Sequence, residues 1–458
     1  MKIMMIAPTP FFADRGCHTQ IYREIRGLQR AGHDALLCTY GLGRDMPEVR
    51  TVRTINFPWY KKLSAGPSLT KILLLPFLTV TALKTLARYK PDIVHAHLHE
   101  GAIIARICKL FYRKPKYLFE FQGSLQKETS NHGFFKKHGV LYRFFGWLEN
   151  RIMSWHFIVV GSSEMLKEVK AMKGVKPDHV ASIGYSVDIE RFAPGVYPKE
   201  LAQSIGIDET MDVALYMGLL EEYQGVDVML DAFRMVCERK PQTKLIVIGF
   251  PNIEKYKEMC LEYGILDNTI FLGRINYNDI PRYLSLSKIA IAPKISVTEG
   301  DGKLYDYMAM GMAIVTFDRS VSREIMDDCG IYAGFLNTEE HEKELMKEPI
   351  NKSANKLANE LANNLENNLE NNLANSLANN LENNLENNLA DKLANGLANN
   401  LENNLANSLA NNLAEKLLWF FDNPQEAQAY GLKARERAVR CFSAEAMIER
   451  LESVYMRL

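Results

Sequence analysis

Cysteine is sparse and unpatterned: seven residues in 458, at 17, 38, 108, 237, 260, 329 and 441, with no Cys-x-x-Cys pair. An odd, scattered set excludes a disulfide framework and a zinc knuckle, and suits a reducing, cytoplasmic setting. No apolar run reaches the ~20 residues that a membrane-crossing helix needs. The most apolar stretch, 72–83, holds Pro76 and reads as a buried helix or as one lying on a membrane surface. A leader is not visible either, since 1–8 is a short strand-like run without a cleavage site. Net charge is missing as well, because 55 Lys+Arg balance 55 Asp+Glu. That balance hides a division: residues 1–190 hold 28 basic against 15 acidic side chains, and the remainder 27 against 40. A first half at +13 implies an anionic partner, either phosphate groups or an anionic membrane contacted peripherally at its inner face. No nucleic-acid partner is expected.

What is present reads as a globular α/β protein, with 47% hydrophobic and 24% charged residues and a length that suits two domains of roughly 150–200 residues. Short apolar runs alternate with helical patterns, which predicts parallel sheets covered on both faces. The first series is 2–7, 35–40, 52–57, 92–97, 117–121, 157–161 and 180–183. After a Pro/Gly-punctuated linker at 194–198 the second runs 213–218, 244–249, 270–273, 289–293, 313–317 and 331–333. Two such series predict two Rossmann-like doubly wound domains facing across a cleft. The first covers 1–193, with a helix at 443–458 packing back on it. The second covers 199–345 and 417–442. Ligands on such sheets bind at the carboxyl ends of the strands.

Residues 346–416 form an insertion of another kind. From Leu357 to Leu417 leucine recurs at every fourth position, mostly with Ala-Asn-Asn or Glu-Asn-Asn between. A four-residue step advances ~400° on an α-helix, so the leucines drift ~40° per repeat and no fixed stripe forms over the whole length. The insertion is expected to be a protruding helix or disordered, with a partner-binding arm as the functional alternative.

The segment richest in chemistry is 293–311, PKISVTEGDGKLYDYMAMG. A strand passes through a glycine-containing loop into a helix predicted to begin near Leu304. A helix start offers unpaired N–H groups and a positive dipole end, which suit phosphate. Gly300 and Gly302 allow close backbone approach, Lys303 adds a cation, and Glu299 and Asp306 can accept hydrogen bonds from sugar or ribose hydroxyls. The same residues could serve the helix alone, with Asp301 as its N-cap and Asp306 solvated.

A second cluster is PDIVHAHLHE at 91–100. His95, His97 and His99 are spaced to share one face of a strand, which reads either as metal ligation or as a histidine touching a transferred sugar. The third element is the opening strand, whose Pro-containing loop leads through Gly16 into a helix. Asp-x-Asp occurs nowhere in the chain, so a bound diphosphate would be neutralised by lysine and helix dipoles, and no metal is expected.

In order and spacing these segments resemble the retaining glycosyltransferases of family 4, which have the GT-B fold. The matches are GHD at 32–34, PDIVHAH at 91–97, IVVGSS at 158–163, SVDIERFAP at 186–194, ALYMGLLEEYQG at 214–225 and KLYDYMAMG at 303–311. They span about 1–340 and 413–458. The resemblance implies a nucleotide diphosphate sugar as co-substrate on the second domain, no other cofactor, and a glycan or lipid-linked acceptor on the first. It implies donor contacts from Gly16, Lys294, Gly300, Gly302, Lys303 and Asp306, with Asp306 on the ribose. Catalytic roles fall to Glu299, on the donor sugar, and to His97, on a sugar hydroxyl, with His95 and His99 as substitutes. The chain departs from the family in ways that mark a divergent subgroup. Leu219 and Gln224 stand where relatives carry Arg and Lys, Glu299 and Asp306 are one residue closer than the usual glutamate pair, and Gln122 replaces a common histidine. Alternative readings are an epimerase or phosphorylase on the same scaffold, a metallohydrolase using the three histidines, and an interaction protein working through the Leu/Asn arm.

Overall fold

The computed structural model describes the chain except for residues 14, 15, 59, 61–68, 127–138, 297–299 and 336–403. Seven strands form the first sheet: β1 (Lys2–Ala7), β2 (Asp34–Thr39), β3 (Thr51–Arg53), β4 (Ile93–His97), β5 (Lys116–Phe121), β6 (Phe157–Val160) and β7 (Val180–Ser182). Six form the second: β8 (Val213–Leu219), β9 (Lys244–Phe250), β10 (Thr269–Gly273), β11 (Ile289–Ala292), β12 (Ala313–Asp318) and β13 (Ile331–Phe335). Their orders are β3-β2-β1-β4-β5-β6-β7 and β10-β9-β8-β11-β12-β13, and every pairing is parallel. Helices on both faces explain why strands such as β1, KIMMIA, are apolar almost throughout: all but Lys2 are buried. The chain is a doubly wound GT-B architecture of two Rossmann-like domains.

One apolar core runs from the first domain into the second, joining Ile3 and Ile25 to Leu304 and Met308. The closing helices tie the halves together. Helix Pro424–Phe442 sends Arg435 to the carbonyls of Ile189, Phe192 and Ala309 at 2.7–2.9 Å. Helix Ala444–Arg457, capped by the Ser443 hydroxyl, crosses back to the first domain. There Ile448 packs on Gly27 and Glu452 meets His33 at 2.6 Å.

The repeat enters the fold at its end. Residues 404–422 are helical, and Leu409, Ala410, Leu413, Ala414 and Leu417 are buried in the second domain's core. This corrects the expected boundary at 416. Over two four-residue steps the drift is only ~80°, and the buried face passes to the next alanine and then to Leu418 and Phe421. The expectation for 346–403 lies outside the described residues. Among the described residues no helix is long and apolar enough to cross a membrane.

Candidate active site

The turn after β8 sets the geometry. Gly225 has φ +73°, and a Cβ there would lie 1.8 Å from the Pro293 carbonyl oxygen. The β8 turn is thus pressed onto the carboxyl end of β11, where the glycine loop begins. Helix Gly302–Ala309 follows, starting two residues before the position predicted from the sequence.

Lys303 is buried. Its Nζ lies 2.8 Å from Gln224 Oε1 and 3.0 Å from Asp301 Oδ1, so the ammonium sits against the very side chain that replaces the family's lysine. Lys294 Nζ donates to the Gly300 carbonyl at 2.9 Å. Arg319, at the end of β12, donates to the Ser296 carbonyl at 2.5 Å and brings Nη2 to 3.6 Å from Asp301 Oδ2. Lys303 and Arg319 therefore meet at the Asp301 carboxylate, and Lys294 is near enough to act on it through charge. Burial alone would raise the Asp301 carboxyl, but Lys303, Arg319 and Lys294 hold it below the usual carboxylate range. Burial, with Lys294 and Arg319, presses the Lys303 ammonium below its ordinary value, against the pull of Asp301. Asp301 thus serves the cations, and it makes no side-chain cap for the helix.

The glycine turn faces the other domain. A Cβ on Gly300 would lie 3.2 Å from the Tyr185 ring, whereas Gly302 and Gly16 have nothing within 4 Å of theirs. Packing alone does not demand glycine at those two positions, and both stand beside open space.

Asp306 requires a correction. Its carboxylate is buried in an ion pair with Arg23 of the first domain, and that guanidinium also reaches the Tyr277 hydroxyl at 3.2 Å and the Ser186 carbonyl at 3.0 Å. Burial pushes the Asp306 carboxyl up and Arg23 pulls it down. Because a guanidinium keeps its proton, the pair is ionic and locks the two domains together. Asp306 Oδ1 is thereby taken up by Arg23.

The histidines divide. His95 and His97 stack at 4.6 Å within a buried group completed by Glu24 and Glu120, whose ligand atoms lie within 4.8 Å of one another. His95 Nδ1 is 2.9 Å from Glu24 Oε1 and 3.1 Å from the Tyr455 hydroxyl; His97 pairs with Glu120. Burial and the adjacent Glu120 push Glu24 toward its neutral form, while His97 keeps Glu120 ionised against burial. His99 leaves the group for Glu149. The three histidines are therefore not one metal site. His97 has no exposed surface and pairs with Glu120, so it is closed to a sugar hydroxyl, and the same burial closes the group to a hydrolytic substrate. Glu299 lies outside the described residues.

Sequence reasoning missed Arg319, Arg23, Glu24 and Glu120. Arg319 was within reach of the strand-end rule that picked out Lys294. Arg23 and Glu24 lie mid-helix, with no local signal.

The twin sheets give the fold class, and comparison with known proteins gives the activity. The model for Glycosyltransferase Family 4 matches residues 15–191, and that for Glycosyl transferases group 1 matches 199–380. The uncharacterized glycosyltransferase MJ1607 of Methanocaldococcus jannaschii is 24% identical over 69% of this chain and 80% of its own length. Sucrose-phosphate synthase from Thermosynechococcus elongatus shares the fold, with TM-score 0.69, 14% identity and coverage of 100% and 98% of the two chains. HepE of Anabaena, solved in complex with UDP-glucose, does so with TM-score 0.67, 12% identity and full coverage of both. The chain is a glycosyltransferase with the GT-B fold and is similar to family 4.

Proposed function

We propose that this transferase moves a hexose from a nucleoside diphosphate sugar to a glycan or lipid-linked acceptor, holding the diphosphate without a metal ion. The observation that carries the reading is the meeting of Lys303 and Arg319 at the Asp301 carboxylate, with Lys294 on the neighbouring Gly300 carbonyl, beside the exposed Gly302. Departure of a nucleoside diphosphate develops negative charge on the phosphates. Fixed cations in a site shielded from water stabilise that charge more in the transition state than in the ground state. The Gly300–Gly302 amides and the helix start would add hydrogen bonds, and Gly16 would admit the phosphates from the first domain. Lys303 would replace the charge that Gln224 lacks, and retention rests on the family likeness. Glu299 on the donor sugar belongs to this reading too, as does work at the inner face of a membrane.

The test is calorimetric titration with UDP-, GDP- and ADP-sugars, with and without EDTA. Binding of one donor, unchanged by the chelator, is expected. Binding that disappears with EDTA would overturn the metal-free reading.

A further inference from the structure

Helices Leu69–Tyr89, Leu98–Phe111 and Val140–Met153 lie together on one face of the first sheet, the middle one touching both others. Each returns the chain to a parallel strand, so its N-terminal half lies toward the carboxyl edge of the sheet, which is the cleft side. On the first and third of these helices, from the N-terminal end to just past the middle, large apolar side chains point to solvent: Leu73, Phe77 and Val80 at 62%, 43% and 50% exposure, and Leu141, Phe144 and Trp147 at 55%, 50% and 61%. The second set steps by three along one helix face, with Phe144 and Trp147 rings 6.0 Å apart and exposed Arg143 and Arg151 flanking them. The three helices hold seven Lys/Arg and only two carboxylates, Glu100 and Glu149. Glu149 is buried and occupied by Ser124, the Leu125 amide and His99.

We infer that this face docks on an anionic lipid bilayer, with Phe144 and Trp147 at the headgroup level and the arginines on lipid phosphates. An apolar ridge edged by cations, with almost no exposed carboxylate, matches an interface that is greasy below and negative above. A soluble monomer has no use for a tryptophan and five further large apolar residues held in water on one edge. The inference deepens the membrane part of the proposed function, because docking here would set the cleft mouth at the lipid surface where a lipid-linked acceptor lies.

Sedimentation of the full chain with vesicles of phosphatidylcholine, alone or with 30% phosphatidylglycerol, tests it. We expect binding only to the anionic vesicles, falling as salt rises. Phe144→Ala/Trp147→Ala should weaken it about tenfold, and Arg143→Gln about fivefold. Binding of whichever UDP-, GDP- or ADP-sugar the wild type takes should be unchanged in the double variant, so a failed donor assay and a failed docking assay are distinguishable. Equal sedimentation with both vesicle types, or none, would overturn the inference. So would a wild-type dimer in light scattering that the double variant loses, since the ridge would then be a protein interface.

Discussion

Replacing Lys303 with Met keeps most of the side-chain volume and removes the charge. In the structure Nζ makes two close polar contacts, to Asp301 and Gln224. After the change Asp301 keeps Arg319 at 3.6 Å and Gln224 keeps its place in the turn, so the variant should fold. A lost charge-assisted hydrogen bond to phosphate is worth about 1.5–3 kcal/mol, and each 1.4 kcal/mol is tenfold in Kd. The donor should therefore bind roughly 10- to 150-fold more weakly, with a similar loss in kcat/KM. Asp301→Asn should act in the same direction: without the carboxylate that offsets its burial, the Lys303 ammonium moves toward its neutral form, and the donor binds more weakly. Isothermal titration of both variants against the wild type decides the matter. If Lys303→Met binds the donor as well as the wild type, or Asp301→Asn binds it more tightly, Lys303 is not the cation that holds the diphosphate.

Other outcomes follow from the same contacts. Gly225→Ala should fold poorly, because a Cβ there would meet a backbone carbonyl at 1.8 Å; a Tm within about 2 °C of the wild type would contradict this. Leu413→Ala should cost about 2–5 kcal/mol in urea unfolding, whereas deleting 350–400 should leave stability and transfer intact. Arg23→Ala strips Asp306 of its buried partner and should cost about 3–5 kcal/mol, with partial recovery in Arg23→Ala/Asp306→Ala. His95 and His156 are lowered by burial from 6.5 to about 4, so the unfolded chain takes up their protons first. Each contributes stability that is full above pH 6.5 and is lost, by about 3 kcal/mol, as pH falls to 4. Thermal unfolding of His156→Gln between pH 7 and pH 4.5 should show a shallower decline than the wild type.

All thirteen strands described were legible in the sequence; the central ones were clearest, because a strand buried on both faces is an unbroken apolar run and needs no register argument. Ile289–Ala292, four residues between a polar helix end and Pro293, is as clear in the letters as in the fold. Strand-end residues were legible for the same reason, since parallel topology sends the carboxyl ends to one side. Lys294 and Lys303 were found that way. Arg23 and Asp306 were not, because their meeting joins positions 283 residues apart and no local pattern encodes it. Asp306 read as a solvated or ligand-facing acid at the place where the other domain supplies its partner. The histidines failed differently. Alternation correctly put His95 and His97 on one face of β4, but both faces of a parallel strand are interior, so sharing a face gave no access to the cleft.

The family's missing cation shows why a site survives when its motif does not. A diphosphate responds to the field where it binds, and that field depends on where a charge ends rather than on which strand carries it. Gln224 removes a lysine from the turn after β8, yet the adjacent β11 loop delivers Lys303 to 2.8 Å from the glutamine oxygen. Burial by itself would favour a neutral lysine there, and Asp301 counters it. The carboxylate thus keeps the substitute cation charged. Placing the lysine back at 224 should accordingly not add to the site. Gln224→Lys would set two ammonium groups within hydrogen-bonding range of each other, and it should bind the donor no better than the wild type while losing thermal stability. A gain in both affinity and Tm would mean that the two cations occupy separate places and that Lys303 is not the substitute.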